Sequence, residues 1–236
     1  MTTTMILDKN VVVWGDSLCK GVIWNEQRGR YGYSVTTAAN VVAKKLDISI
    51  VNRAKFGYTA PQGLVAMEHD LAEGITCDTG VIEFGGNDCN FKWDEIAADP
   101  GLQHNPATTP ELFESTLKRM VQRLRERKIR PILLTPPPIN AERYFKFLSG
   151  DKLNTTNLLT WLGDVQQIYR FQELYSHIVQ KVARELQVAL LDLRARCLAN
   201  SAFVSALLCQ DGLHLSEKGQ QFVGEQIAEL VMNGEE

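Results

Sequence analysis

Five short apolar runs, each followed by a stretch of helical or turn-rich sequence, limit what this chain can fold into. They occupy residues 10–14, 48–52, 79–84, 130–135 and 188–193. The runs are continuous rather than alternating, so each is expected to be a strand buried on both faces. Between them lie amphipathic segments at residues 33–46, 61–73, 110–127, 166–186 and 216–232. In the first, Val35, Ala38, Ala39, Val42 and Leu46 repeat at helical spacing. Pro61 suits a first helical turn, and Thr109 and Ser216 suit N-caps. Strands alternating with helices predict a parallel five-stranded sheet covered on both sides, a three-layer α/β/α sandwich. Residues 1–236 show no linker, repeat or low-complexity stretch, and are read as one domain. A hydrophobic share of 44% over this length is ample for a core without disulfides or metal.

Charge and cysteine usage exclude several classes. There are 25 basic and 28 acidic residues, a net charge of −3. That balance provides no electrostatic footprint for nucleic acid or an anionic membrane. The basic stretch 118–130 is interrupted by Glu126 and reads as the solvated face of a helix. The five cysteines are scattered with no C-x-x-C pair, which argues against a disulfide framework or zinc site and for a reducing compartment. Residues 1–10 carry no basic region followed by a long apolar run, and a cytoplasmic location is expected. His69, His104 and His177 have no metal-ligand partner at close spacing. No P-loop or G-x-G-x-x-G fingerprint occurs, and no cofactor or metal is expected.

Four segments carry possible chemistry. Gly15-Asp16-Ser17-Leu18 follows the first run, so the Ser17 hydroxyl lies at a strand's carboxyl end, where open α/β sheets form sites. Gly57 closes Asn52 to Gly57 after the second run, where a missing Cβ lets backbone approach a ligand. Gly85-Gly86-Asn87-Asp88 follows the third and offers a side-chain amide. Asp211-Gly212-Leu213-His214 precedes the last helix, and one turn would bring its carboxylate to its imidazole. Each also has a plain turn reading, since Gly, Asn, Asp and Ser all favour turns.

Taken in order, the four segments resemble the blocks of the GDSL, or SGNH, hydrolase family, which is named for Ser, Gly, Asn and His. The matching residues are Ser17, Gly57, Asn87 and His214. The resemblance spans nearly the whole chain and implies the flavodoxin-like SGNH hydrolase fold. It also implies ester hydrolysis through an acyl-enzyme, with Ser17 as nucleophile, His214 as base and Asp211 orienting the imidazole. The backbone N–H groups of Ser17 and Gly57 and the Asn87 amide would meet the oxyanion. Asp16 and Asp88 are read as loop-organising acceptors, and Cys19 and Cys89 as buried packing.

Three stretches should border the site. Residues 21–33 carry Trp24, Tyr31 and Tyr33; residues 90–110 carry Phe91, Trp93 and His104; residues 136–163 carry Tyr144, Phe145, Phe147 and Trp161. All three read as long loops, which in compact domains are often functional. Trp24, Trp93, Tyr144 and Phe145 are the candidate substrate contacts. The small-molecule ester expected is a short acyl group on a polar alcohol, such as an O-acetylated sugar. The alternatives are a lysophospholipase, lipase or thioesterase of the same family. A non-catalytic carbohydrate-binding protein would be expected to lack Ser17, Asp211 or His214, and all three are present.

Overall fold

The computed structural model describes residues 8–150 and 153–233. The chain opens with β1 (Asn10–Gly15), a short turn of helix α1 (Ser17–Lys20), and a hairpin of β2 (Val22–Asn25) and β3 (Arg30–Tyr33). There follow α2 (Ala38–Leu46), β4 (Ser49–Asn52), α3 (Ala60–Ala72), β5 (Thr79–Glu83), α4 (Trp93–Ala98) and α5 (Pro110–Glu126). Then come β6 (Arg130–Leu134), α6 (Ala141–Ser149), α7 (Thr155–Leu162), α8 (Gln167–Leu186), β7 (Ala189–Leu191) and α9 (Leu193–Ala199). A π-helical turn (Phe203–Leu207) leads to α10 (Glu217–Asn233).

The five expected strands form one parallel sheet in the order β4-β1-β5-β6-β7. The chain leaves β1 for one edge and returns to its other side at β5. The carboxyl ends of β1 and β5 therefore flank the switch point, where such sheets open a crevice. Alternation along the strands divides the core. Val12, Trp14, Ile82 and Leu133 pack against α3, α5 and α8, while Val11, Val13, Val81 and Leu134 pack against α2, α9 and α10. The Trp14 ring is buried, and its Nε1 donates to Asp70 on α3 at 2.9 Å, which also pairs with Arg53 beyond β4. A third apolar cluster, built from α4, α6, α7 and the start of α8, is distinct from both sheet faces.

Two expectations need correction. The helix expected over residues 33–46 begins only at Ala38. Residues 30–33 pair with the antiparallel strand 22–25, and Thr37 caps α2 in a reciprocal box with Asn40. Val35 is 92% exposed, so its place in the apolar repeat is fortuitous. None of the three stretches read as long loops is a plain one. Residues 21–33 hold the β2–β3 hairpin. Residues 90–110 and 136–163 contain α4, α6 and α7, which are stabilised by burying their apolar faces on one another. Among the described residues, no helix is long and apolar enough to cross a membrane.

Candidate active site

Ser17 stands at the first position of α1, immediately beyond β1. Asp16 caps that turn, its Oδ1 accepting from the Leu18 N–H at 2.9 Å. The loop after β4 is fastened beside it. Asn52 donates to the Cys19 carbonyl at 2.7 Å and accepts from Ala54 N–H at 3.0 Å, and Lys55 N–H reaches the Gly15 carbonyl at 3.0 Å. These bonds fasten residues 52–55 beside the Ser17 turn, and Gly57 follows two residues on in a left-handed conformation with φ +77°. The backbone bonds here employ the N–H groups of Leu18, Lys20, Arg53, Ala54, Lys55 and Tyr58; those of Ser17 and Gly57 take no part in them.

The fourth segment arrives from the other end of the chain. Cys209 N–H donates to the His214 carbonyl at 2.7 Å, closing a tight loop. Gly212 sits at its tip with φ +74°. A Cβ there would lie 2.6 Å from the Asn140 carbonyl oxygen and 2.7 Å from Tyr144 N. Within this loop Asp211 Oδ1 accepts from the Leu213 and His214 N–H groups, each at 3.0 Å, and Oδ2 lies 2.6 Å from His214 Nδ1. His214 Nε2 lies 2.9 Å from Ser17 Oγ. A hydroxyl, an imidazole and a wholly buried carboxylate thus stand in line. Burial pushes the Asp211 carboxyl up. The hydrogen bond and charge of His214 outweigh it, and the group lies below the ordinary carboxylate range.

Asn87 Nδ2 donates to Asp16 Oδ2 and to the Tyr58 carbonyl, both at 3.1 Å, so both of its N–H bonds are engaged. Asp88 accepts from Ala60 N–H at 2.9 Å, which holds α3 to this loop. Burial pushes Asp16 and Asp88 up to about 6 each, against the N–H bonds they receive. Both are structural acceptors, as their positions suggest. Cys19 is half-buried and Cys89 buried, and desolvation pushes both thiols up, which leaves them weak nucleophiles.

A cavity of about 70 Å³ opens beside Ser17 and His214. Trp93, Tyr144, Ile139, Ile168, Phe171 and Leu213 line its apolar part, and Asp16, Asn87, Asn90 and Gln172 add polar groups. Trp93 Nε1 and the Tyr144 hydroxyl both meet Asn90 Oδ1, at 2.7 and 3.0 Å. Of the four candidate substrate contacts, Trp93 and Tyr144 therefore line the cavity. Trp24 and Phe145 do not. Trp24 packs edge-on against Tyr31 and Phe147, and Phe145 packs on the third cluster.

Sequence reasoning did not single out Tyr31 and Phe56 as site residues. Their rings lie 4.9 and 6.2 Å from the His214 ring and 5.3 Å from each other. Phe56 was locatable, since it directly precedes Gly57. Tyr31 depends on the hairpin, where it pairs with Trp24. His104 is bound to the Asp99 carbonyl, and the described residues include no group of three or more potential metal ligands.

A sequence model of the GDSL-like lipase/acylhydrolase family matches residues 13–222. The chain belongs to that family. It is a hydrolase of the GDSL esterase type, and its relatives include a bovine protein named isoamyl acetate-hydrolyzing esterase 1 homolog. The two are 30% identical over 221 residues, covering 90% of this chain and 77% of the relative. An isoamyl acetate-hydrolyzing esterase of Saccharomyces cerevisiae is 24% identical over 93% of this chain and 84% of its own. Among solved structures, Est24, a carbohydrate acetylesterase from Sinorhizobium meliloti, superposes with a TM-score of 0.67. It is 16% identical and aligned over 95% of this chain and 98% of that one. At that identity the GDSL esterase shares the fold with Est24, and the fold alone.

Proposed function

We propose that this esterase cleaves short-chain, acetate-type esters of small alcohols through a Ser17 acyl-enzyme. Ser17 Oγ attacks the ester carbonyl carbon as His214 Nε2 takes its proton. The tetrahedral intermediate collapses, and the alcohol leaves with that proton. Water then repeats the sequence on the acyl-serine and releases the acid. Asp211 keeps Nδ1 protonated, so Nε2 faces the serine as an acceptor. The N–H groups of Ser17 and Gly57 meet the oxyanion. Asn87 joins them by giving up its bond to the Tyr58 carbonyl while Asp16 retains the other Nδ2–H bond.

The observation that carries the choice of alcohol is the position of Tyr31 and Phe56. The imidazole that protonates the leaving alcohol is bordered by two aromatic rings. An alcohol departing there moves across apolar surface, which favours a small alkyl or aryl alcohol. The name of the bovine relative supports the same class. An O-acetylated sugar is the second reading, favoured by the half-buried Tyr31 face and the exposed Tyr33 and Arg30 on the same hairpin. Steady-state kinetics on isoamyl acetate, acetylated xylose and a p-nitrophenyl ester series separates these readings. A preference for isoamyl acetate by kcat/KM is expected, and a peak at octanoate or longer refutes both. Ser17→Ala should abolish turnover and labelling by a serine-directed phosphonate; retained labelling removes Ser17 as nucleophile. The five unpaired cysteines support a reducing compartment.

A further inference from the structure

Glu83 has no role in the sequence blocks, yet it is buried (1% exposed) at the carboxyl end of β5. It is the register partner of Gly15, one residue from Asp16 and two from Ser17. Neither of its carboxyl oxygens has a hydrogen-bond partner. Its surroundings on the α2/α10 side are apolar, with Val13, Val81, Leu134 and Leu191 walling the adjoining cavity. The polar groups that face it are the Cys19 thiol, the Asp16 backbone N–H and the Asp16 carboxyl, and the last already accepts from Leu18 N–H and Asn87 Nδ2. Two facing carboxyl oxygens form no bond until one carries a proton, and two buried carboxylates side by side repel strongly.

We propose that Glu83 is a positioning residue: as a neutral carboxylic acid it donates to the Asp16 carboxylate and so fixes the group that aims the Asn87 amide. Asp16, with two formed bonds from N–H donors, is the ionised partner; Glu83, which the Asp16 N–H and the Cys19 thiol face without forming a bond, holds the proton. Burial and then the Asp16 charge push Glu83 well above the ordinary range. The other titratable groups facing the pair are Cys19 on α1, His214 on its loop and Asp88 beyond β5. Only His214 bears a stabilising charge on Asp16, and none of these groups supplies Glu83 with an N–H donor. Raising the pH until Glu83 ionises would set two charges against each other beneath Asn87.

This inference rests on the proposal that Asn87 meets the oxyanion. Its test compares Glu83→Leu with Glu83→Gln on p-nitrophenyl acetate. Glu83→Leu should lower kcat by about 100-fold, the scale of a lost oxyanion donor, with KM within about threefold. Glu83→Gln, which keeps a donor, should restore kcat to within about fivefold of the unaltered enzyme and remove the fall in rate at alkaline pH. At pH 8, where Asp16 and Asp88 are ionised, the unaltered enzyme should show the infrared band of a protonated carboxylic acid, absent from Glu83→Gln. Unchanged kcat in Glu83→Leu, equal loss in both variants, an identical alkaline limb, or no such band overturns the proposal. If Glu83→Leu does not fold, the Glu83→Gln pH profile and the infrared band decide alone. Failure of the serine reading is separate: it appears as wild-type enzyme that a phosphonate does not label.

Discussion

Asp211→Asn isolates the orienting carboxylate with almost no change in shape. Asp211 receives three N–H groups: those of Leu213 and His214 on Oδ1, and His214 Nδ1 on Oδ2 at 2.6 Å. An asparagine can place its oxygen at the Oδ1 position and keep both backbone bonds. Its NH₂ then faces Nδ1, where two donors cannot meet. The imidazole must shift its proton to Nε2 and present a donor to Ser17 Oγ, 2.9 Å away. A base that already bears its proton cannot take another. The expected cost is about 10⁴-fold in kcat, or about 5 kcal/mol of barrier. Stability should hardly move, because only the Oδ2 bond is lost. Asp211→Ala is the contrast: it strands two buried backbone N–H groups, at about 1–3 kcal/mol each, and should lower Tm as well. The assay is kcat on p-nitrophenyl acetate beside thermal melts of the three proteins. An Asp211→Asn enzyme within tenfold of the unaltered one would refute the tautomer argument. Equal melting losses in both variants would reduce Asp211 to a structural cap.

Three other outcomes follow from the same geometry. Asn87→Ala should reduce kcat by about 10²–10³-fold with an intact fold; unaltered turnover of an activated aryl ester removes Asn87 from the oxyanion site. Gly212→Ala should cost both activity and stability. An L-residue in the left-handed region loses about 1–2 kcal/mol, and here the new Cβ also meets backbone of the Asn140–Tyr144 turn at 2.6 Å; a variant with native Tm and kcat contradicts this. Asp88, held up at about 6 chiefly by burial, keeps its proton in the folded chain after the unfolded chain has released it. Its contribution is full below about pH 4 and is lost as pH rises to about 6, by at most about 3 kcal/mol. Urea unfolding of Asp88→Asn should lack that part of the slope, and parallel slopes in both proteins would disprove the shift.

The sheet was legible because its signals are local. Each strand is an unbroken apolar run with its own stop, and each candidate residue up to Asn87 sits directly after such a stop. What was not legible depends on tertiary packing. Residues 22–25 and 30–33 carry only four residues each, mixed in polarity, and become strands because they pair with one another. Trp93, Tyr144 and Leu158 are too few per segment to announce helices. Their elements form because the three share one apolar cluster. Glu83 was hidden for the opposite reason. Inside Val81-Ile82-Glu83-Phe84 it reads as part of a buried strand, and nothing in a one-dimensional pattern says what faces its carboxyl.

Four carboxyl groups lie in or beside this site, and all are within 1% of full burial. Desolvation therefore pushes every one of them up, and it cannot account for how differently they end. Donors and neighbouring charges together do: the His214 charge lowers Asp211 and the Asp16 charge raises Glu83. Asp211 has three N–H partners and lies below the ordinary range; Asp16 has two and stands at about 6. Asp88 has the Ala60 N–H on one oxygen, none on the other, and also stands at about 6; Glu83 has none and lies well above. The fold thus allots charge by where it places N–H donors and neighbouring charges. The carboxylate that must stay ionised beside an imidazolium is the one held by its own loop. The one that must stay neutral is set against valine and leucine at a strand end. Chemical-shift titration of labelled carboxyl carbons tests the ranking directly, and an Asp211 that titrated above Asp16 would break it.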